Sequence, residues 1–386
     1  MNIRDLTNST YLADGNNNVV FRVHSTSHVL RFYKFVYLEN ENSEKLAIDE
    51  KCNIYSSQDV YNFHLKVIRK LLPEAYLLPD FYLIRPDLDL SNHVIKEFNS
   101  SKFTRREALL MNDVIRLLGP EPVSYLIEIK PKLGFISPIG PSCHTYESKY
   151  CRFCLQQLSK IKENVYEVHK DNQYCPLDLF FTCHNRIRFA LDNLFKFPQN
   201  NLKIYINGMY RDLTESGIEE KNFLTQLIFL CILEDSRKNE TSTNITRDQT
   251  CSGSHKFDCC LNNTCKHRPT GGVLDLLLSF QRLDAVGLNT ISQMWSLMDE
   301  KSKKQAIICL EDFDHPIWKD INPFNSDNDT RERTLLIRNF LLSMTFRDAS
   351  LTFTIRENND KLESCGLAHS TFVYGEHCFD EVLIKD

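Results

Sequence analysis

The residues with the most chemical potential in this chain are Glu128, Lys130 and Lys132, set at every second position of LIEIKPKLGFI (126–136). Alternation at that spacing predicts a strand with the three polar groups on one face and Ile127, Ile129 and Pro131 on the other. Pro131 has no N–H for a ladder, so the strand is expected to end there or to run along a sheet edge. Two ammonium groups carried by a buried aliphatic strand suit a polyanion, although a solvated edge strand reads the same way. Two acids complete the set: Asp348, just before the β-rich run SLTFTIRE (350–357), and Asp380 in HCFDEVLI. Alone, an acid at such a junction caps a turn. Brought together with several lysines, the two suit phosphoryl transfer, which needs cations on phosphates, a carboxylate on Mg2+ and a positioned hydroxyl.

Other stretches offer weaker chemistry. GNNNVV (15–20) joins one Gly to three small polar residues, a composition that brings backbone N–H groups close to phosphate oxygens or simply makes a turn. Arg31, at the end of VLR, could reach back over that loop. CRFC (151–154) is a CxxC pair, but zinc wants a second pair at matching spacing. His255, Cys259, Cys260, Cys265 and His267 lie far along the chain with no standard finger spacing. A structural Zn2+ is therefore a secondary expectation, held for the 251–267 loop ahead of CRFC.

The elements that must position these residues follow from periodicity. YLADGNNNVVFRV and SHVLRFYKF read as a hairpin turning at Ser25 to Ser27. A helix is predicted over 59–72, with Val60, Phe63, Val67, Ile68 and Leu71 on one face and Pro73 stopping it. The 107–122 stretch is a strand or a connector. Helical patterns cover 149–168, 185–197 and 221–238, and resume in VLDLLLSFQRLDAVG and TLLIRNFLLSMT. Residues 239–271 are polar, rich in Cys and Asn and aperiodic, which predicts a surface insertion. A last strand-like run spans 370–384.

Composition narrows the class. With 386 residues and 42% hydrophobic content, the chain can bury a sizeable core in two or three domains. A net charge of −5 argues against a polycation built for nucleic acid, so anions must be met by local basic clusters. The polar start MNIRDLTNST has no apolar signal region, and no apolar run approaches the roughly 18 residues of a membrane span. Fourteen cysteines without a signal peptide predict reduced thiols in cytosol or nucleus. Sequons such as those at Asn8, Asn239 and Asn244 are then chance matches.

In their order along the chain, GNNNVV, VLRFYK, EIKPKLGF, CRFCLQQ, YCPLDLF, PQNNLKIYING and FRDASLTF resemble the inositol-pentakisphosphate 2-kinase family. The resemblance covers about residues 10–210 and 340–356. It implies an α+β, two-lobed inositol polyphosphate kinase fold, distantly protein-kinase-like. A β-rich N-lobe with the phosphate loop would occupy 1–115 and a larger mixed C-lobe 116–386. It implies an ATP- and Mg2+-dependent kinase that phosphorylates the 2-hydroxyl of inositol pentakisphosphate to give the hexakisphosphate. The implied protein is a monomer, cytoplasmic or nuclear, with no nucleic-acid partner and no membrane insertion. Gly15, Asn16, Asn17, Asn18 and Val19 would cover the nucleotide phosphates, with Arg31, Asn112, Asp113, Glu128 and Lys203 as further nucleotide contacts. Lys132, Gln156, Lys160, Asn200 and Asn201 would hold the inositol phosphates, Gln156 standing where the family commonly has His. Lys130 and Asp348 would be catalytic, Asp348 taking the hydroxyl proton, and Asp380 with Asp348 would hold Mg2+. After Asp380 only Lys385 stands in for the basic and tyrosine contacts of the family. The alternative expectation is therefore a shortened, catalytically impaired form acting as an inositol-phosphate- or nucleotide-binding protein or a scaffold.

Overall fold

The computed structural model of the chain describes residues 9–14, 18–24, 26–33, 56–85, 107–116, 124–136, 150–162, 174–180, 184–212, 216–238, 272–319 and 329–356. These form two antiparallel sheets and a set of helices, an α+β protein in two compact units. One unit is residues 1–119 with 312–318, the other 120–311 with 319–386. Among the described residues no helix is long and apolar enough to cross a membrane.

The first unit carries a five-stranded sheet, β1 (Ser9–Asp14), β2 (Asn18–Val23), β3 (His28–Tyr33), β4 (Phe81–Ile84) and β5 (Ala108–Asn112), in the order β1-β2-β3-β5-β4. YLADGNNNVVFRV, which reads as one run, holds two strands, β1 and β2, paired antiparallel, so the hairpin becomes a three-stranded meander. Every second residue of β2 points inward, and Val19, Phe21 and Val23 are fully buried with Leu30 and Phe32 of β3 and Ala108 and Leu110 of β5. Each such side chain contributes about 1.5–3 kcal/mol of burial, and the Phe21 and Phe32 rings meet edge to face at 6.0 Å. Helix α1 (Ser57–Phe63), capped by a reciprocal Ser56–Asp59 box, runs on through a π-helical turn at His64–Ile68. It lays Val60 and Tyr61 on a second cluster made by Leu78, Phe81, Leu109 and Met111. Phe63 packs on Phe313 and Trp318, which brings the 312–318 segment into this unit.

The second unit carries a four-stranded sheet of β6 (Ser124–Ile129), β7 (Leu202–Ile206), β8 (Met209–Arg211) and β9 (Leu351–Arg356), in the order β8-β7-β6-β9. The strand expected to run at an edge or to end at Pro131 is central, and it ends. Leu126, Ile127 and Ile129 are all buried, so both of its faces are covered. Asn207 and Gly208 both have positive φ, the signature of the tight Asn-Gly turn that joins β7 to β8.

Around this sheet the chain forms α2 (Arg152–Lys162), α3 (Pro176–Leu179), α4 (His184–Lys196), α5 (Ile218–Lys238), α6 (Val273–Gln281), α7 (Gly287–Leu297), α8 (Glu300–Glu311) and α9 (Asp329–Arg347). Helix α9 buries Leu335, Ile337, Phe340, Leu341, Leu342 and Phe346, apolar groups all round its axis, as an interior helix must. Phe346 stacks on Phe280 of α6 at 4.4 Å. The end of α9 and the start of β9 leave Asp348 between two buried elements.

Candidate active site

The strap that follows β6 is bonded at each step. The Lys130 N–H donates to the Asn201 carbonyl at 2.9 Å, and the Tyr174 hydroxyl donates to the Pro131 carbonyl at 2.8 Å. Lys132 then turns left-handed, with φ of 63°, a conformation that costs a non-glycine residue about 1–2 kcal/mol. Gln281, fully buried at the end of α6, fixes that turn. Its Nε2 donates to the Lys132 carbonyl at 2.8 Å and to the Phe346 carbonyl at 3.1 Å, and its Oε1 accepts from the Gly134 N–H at 2.8 Å. Lys132 is therefore off the pleat that carries Glu128. The alternation expected through all three polar residues stops at Pro131, because the backbone leaves the strand there.

The turn aims Lys132 at Asp348. Its Nζ donates to the Asp348 Oδ1 at 3.1 Å, both side chains about a quarter exposed (27% and 24%), joining positions 216 apart in sequence. Asp348 is anchored from below: the neighbouring Arg347 guanidinium donates to Asp284 at 2.5 Å, a pair closed off from solvent. On β6, Glu128 stands in register between Lys203 of β7 and Thr352 of β9. Ser350 donates its hydroxyl to Glu128 Oε1 at 3.0 Å. One face of the second unit thus gathers two carboxylates with Lys203 beside one and Lys132 beside the other, a surface that can neutralise phosphate and accept a proton.

The other contacts expected in this unit lie on α2 and in the turn before β7. Asn201 is buried in the turn after Pro198, its N–H donating to the Pro198 carbonyl at 2.8 Å, while Asn200 is exposed. Gln156 and Lys160 sit one helical turn apart on α2, Gln156 exposed and Lys160 half-buried. The buried Gln157 beside them accepts from Gln199 Nε2 at 2.8 Å, tying α2 to the Asn200–Asn201 turn. Gly134 lies flush against another of the quoted stretches: a Cβ there would come within 2.4 Å of the Phe180 ring.

In the first unit the expected nucleotide contacts fare differently. Asn18, Val19 and Arg31 are buried, Arg31 in register with Val20 and its guanidinium carbon 5.4 Å from the Tyr33 ring centroid. Asn112 closes on Asp80, donating at 2.7 Å and accepting the Asp80 N–H at 2.9 Å. The Asp113 carboxylate accepts from Arg22 at 2.6 Å and from the Ile115 N–H at 3.2 Å. Gly15, Asn16, Asn17, Asp380, the 239–271 insertion and the 370–384 run lie outside the described residues.

Several supporting residues carry no sequence signal. Gln281 acts through three hydrogen bonds, and Tyr174 and Ser350 through one each, that no spacing announces. Asp178 of PLDLF is paired with Arg186 at 2.6 Å, yet burial pushes its carboxyl above the usual range. Cys175, one residue before α3, meets the CRFC pair: the Cys151, Cys154 and Cys175 sulfurs all lie within 4.8 Å of one another. Hydrogen bonds from Cys154 and Cys175 hold the Cys151 thiol well below its ordinary range, and the two donors are pushed up in consequence.

Comparison with known proteins matches the sequence model of a family described as inositol-pentakisphosphate 2-kinase to residues 11–374. A protein of that name from Arabidopsis thaliana is 25% identical over 242 residues, 60% of this chain and 48% of its own length. One from Danio rerio is 29% identical over 212 residues, 51% of this chain and 43% of its own. One from Drosophila melanogaster is 33% identical over 120 residues, 24% of this chain and 18% of its own. The chain spans about half the length of the first two relatives.

Proposed function

Since this chain belongs to the inositol-pentakisphosphate 2-kinase family, we propose that it transfers the γ-phosphoryl group of ATP to the 2-hydroxyl of inositol pentakisphosphate, giving the hexakisphosphate. The observation that carries this reading is the meeting of Lys132 with Asp348 at 3.1 Å on a strap that Gln281 holds rigid. Five phosphates bring on the order of ten negative charges, and rigid ammonium groups meet them without first having to be ordered. A phosphate arriving at Lys132 competes with Asp348 for the same ammonium. Engaging the substrate thus releases the carboxylate to take the hydroxyl proton, so binding and activation are one event.

Lys130 lies two residues before Lys132 on the same strap and serves the transferring phosphoryl group. Within the second unit, Glu128 and Lys203, in register across β6 and β7, serve the nucleotide; within the first, Asn112, Asp113, Arg31 and the Gly15–Val19 loop are its expected contacts. Gln156, Lys160, Asn200 and Asn201 complete the inositol phosphate side. The two units act as the N- and C-lobes of an inositol polyphosphate kinase, divided near residue 115. Mg2+, when bound, neutralises charge between the phosphates. Asp348, a hard and partly exposed oxygen donor, fits it, with Asp380 as its companion. The same reading makes the chain a cytoplasmic or nuclear monomer that binds no nucleic acid.

The test is a product assay. The pure chain with ATP, Mg2+ and inositol pentakisphosphate is expected to yield hexakisphosphate by anion-exchange chromatography. No product at high protein concentration would overturn the proposal.

A further inference from the structure

Cys151, Cys154 and Cys175 come from two stretches of chain, the entry to α2 and the entry to α3, and their sulfurs share one small volume. None is in a disulfide. A tetrahedral zinc site with Zn–S bonds of about 2.3 Å spaces its sulfurs roughly 3.8 Å apart. Three sulfurs already within 4.8 Å of one another need move by no more than about one ångström to reach that spacing. The cluster is screened from water, Cys151 buried and the other two half-buried, as suits a structural site. Phe153 and Tyr174, chain neighbours of Cys154 and Cys175, meet edge to face at 5.7 Å.

We propose that Cys151, Cys154 and Cys175 bind one zinc ion as thiolates, with the fourth position left to water or another donor, and that this ion braces the candidate active site. Tyr174, adjacent to Cys175, donates to the Pro131 carbonyl between the two strap lysines. Cys151 and Cys154 set the start of the helix that carries Gln156 and Lys160. Zinc at this point pins together the strap and the helix, two parts of the site that share no strand pairing. Binding releases the remaining thiol protons to solvent, with no change of oxidation state at sulfur or metal. The ligand set is the CRFC pair plus a single distant cysteine, so a search for a second CxxC or an HxxxH partner misses it.

The experiment reads metal, so its outcome stands apart from whether the chain turns over inositol phosphates. The chain purified without chelator is expected to hold zinc by plasma mass spectrometry, falling by about one equivalent in Cys154→Ser and in Cys175→Ser. Cys309→Ser, at a buried cysteine of α8, is expected to keep the full content. Should the serine variants fail to fold, the unmutated chain is stripped and refilled with Co2+. Intense visible d–d bands with a sulfur-to-cobalt charge-transfer band in the near ultraviolet are then expected. Unchanged zinc in the serine variants, cobalt spectra without thiolate bands, or a Cys151–Cys154 disulfide in the freshly purified chain would each overturn the proposal.

Discussion

In the five-stranded sheet, Asn112 and Asp113 spend their side chains on the unit that carries them, one closing the turn at Asp80 and the other holding Arg22. In the four-stranded sheet, Glu128, Lys130 and Lys203 stay partly exposed, and Lys132 meets its acid from a strained turn. Both sets were expected to serve the same site, and both are polar residues at or near strand ends. What separates them is spent hydrogen-bonding capacity. A carboxylate that already receives a guanidinium and a backbone N–H is a structural part, while one that shares a single ammonium with solvent still has oxygens to offer.

Variants can break that contrast. Asp348→Asn is expected to lower turnover by about 10²–10⁴-fold with unfolding by urea little changed, and full activity in steady-state assays would place the base elsewhere. Within the first unit, burial against Phe81 and the nearby Arg69 lower the His64 pKa from 6.5 to about 4. The folded state there binds fewer protons than the unfolded one, so stability held above pH 6.5 is lost as pH falls towards 4. Between pH 7 and 4.5 the loss is about 2–3 kcal/mol, and His64→Phe should abolish it. A Trp295→Phe background leaves Trp318 to report on that unit in urea titrations, and an unchanged acid slope would remove His64 from the account.

Lys132→Ala is expected to weaken inositol pentakisphosphate binding by about 10–100-fold, the worth of one charge-assisted contact, and to spare ATP. Calorimetry with both ligands distinguishes that from a general loss. The smallest effect sharpens the comparison from its other side. Asp113→Asn should cost about 1–3 kcal/mol of stability, since Arg22 keeps some solvent. The affinity of the folded chain for inositol pentakisphosphate should stay the same; a selective fall would mean that the two sheets are less different than their hydrogen bonds suggest.

Much of this was readable before any coordinates. The helices over 57–71, 184–196 and 218–238 and the strand over 351–356 fall within a few residues of their periodic patterns, because each sets an apolar side against its unit. Two helices between 287 and 311 were not separately legible. α8 buries Ala306, Cys309 and Leu310 while leaving Ile308 largely exposed, so its stripe is blurred. At the site, the lysines and Asp348 were visible as residue types. Their meeting was not, since it depends on a left-handed lysine that no propensity favours and on a buried glutamine remote in sequence. Pro131 left two outcomes open, an edge strand or one that ends there; the strand stops just before it and is central.

The bare α-carbon of Gly134 set against the Phe180 ring has a corollary for substitution. EIKPKLGF and PLDLF look like independent signatures, yet each fills space the other must vacate. Neither can drift alone: a methyl group at 134 demands a smaller or displaced ring at 180, and Gly134→Ala joined to Phe180→Leu should be milder than Gly134→Ala by itself. The two stretches form one unit of packing, written in two places.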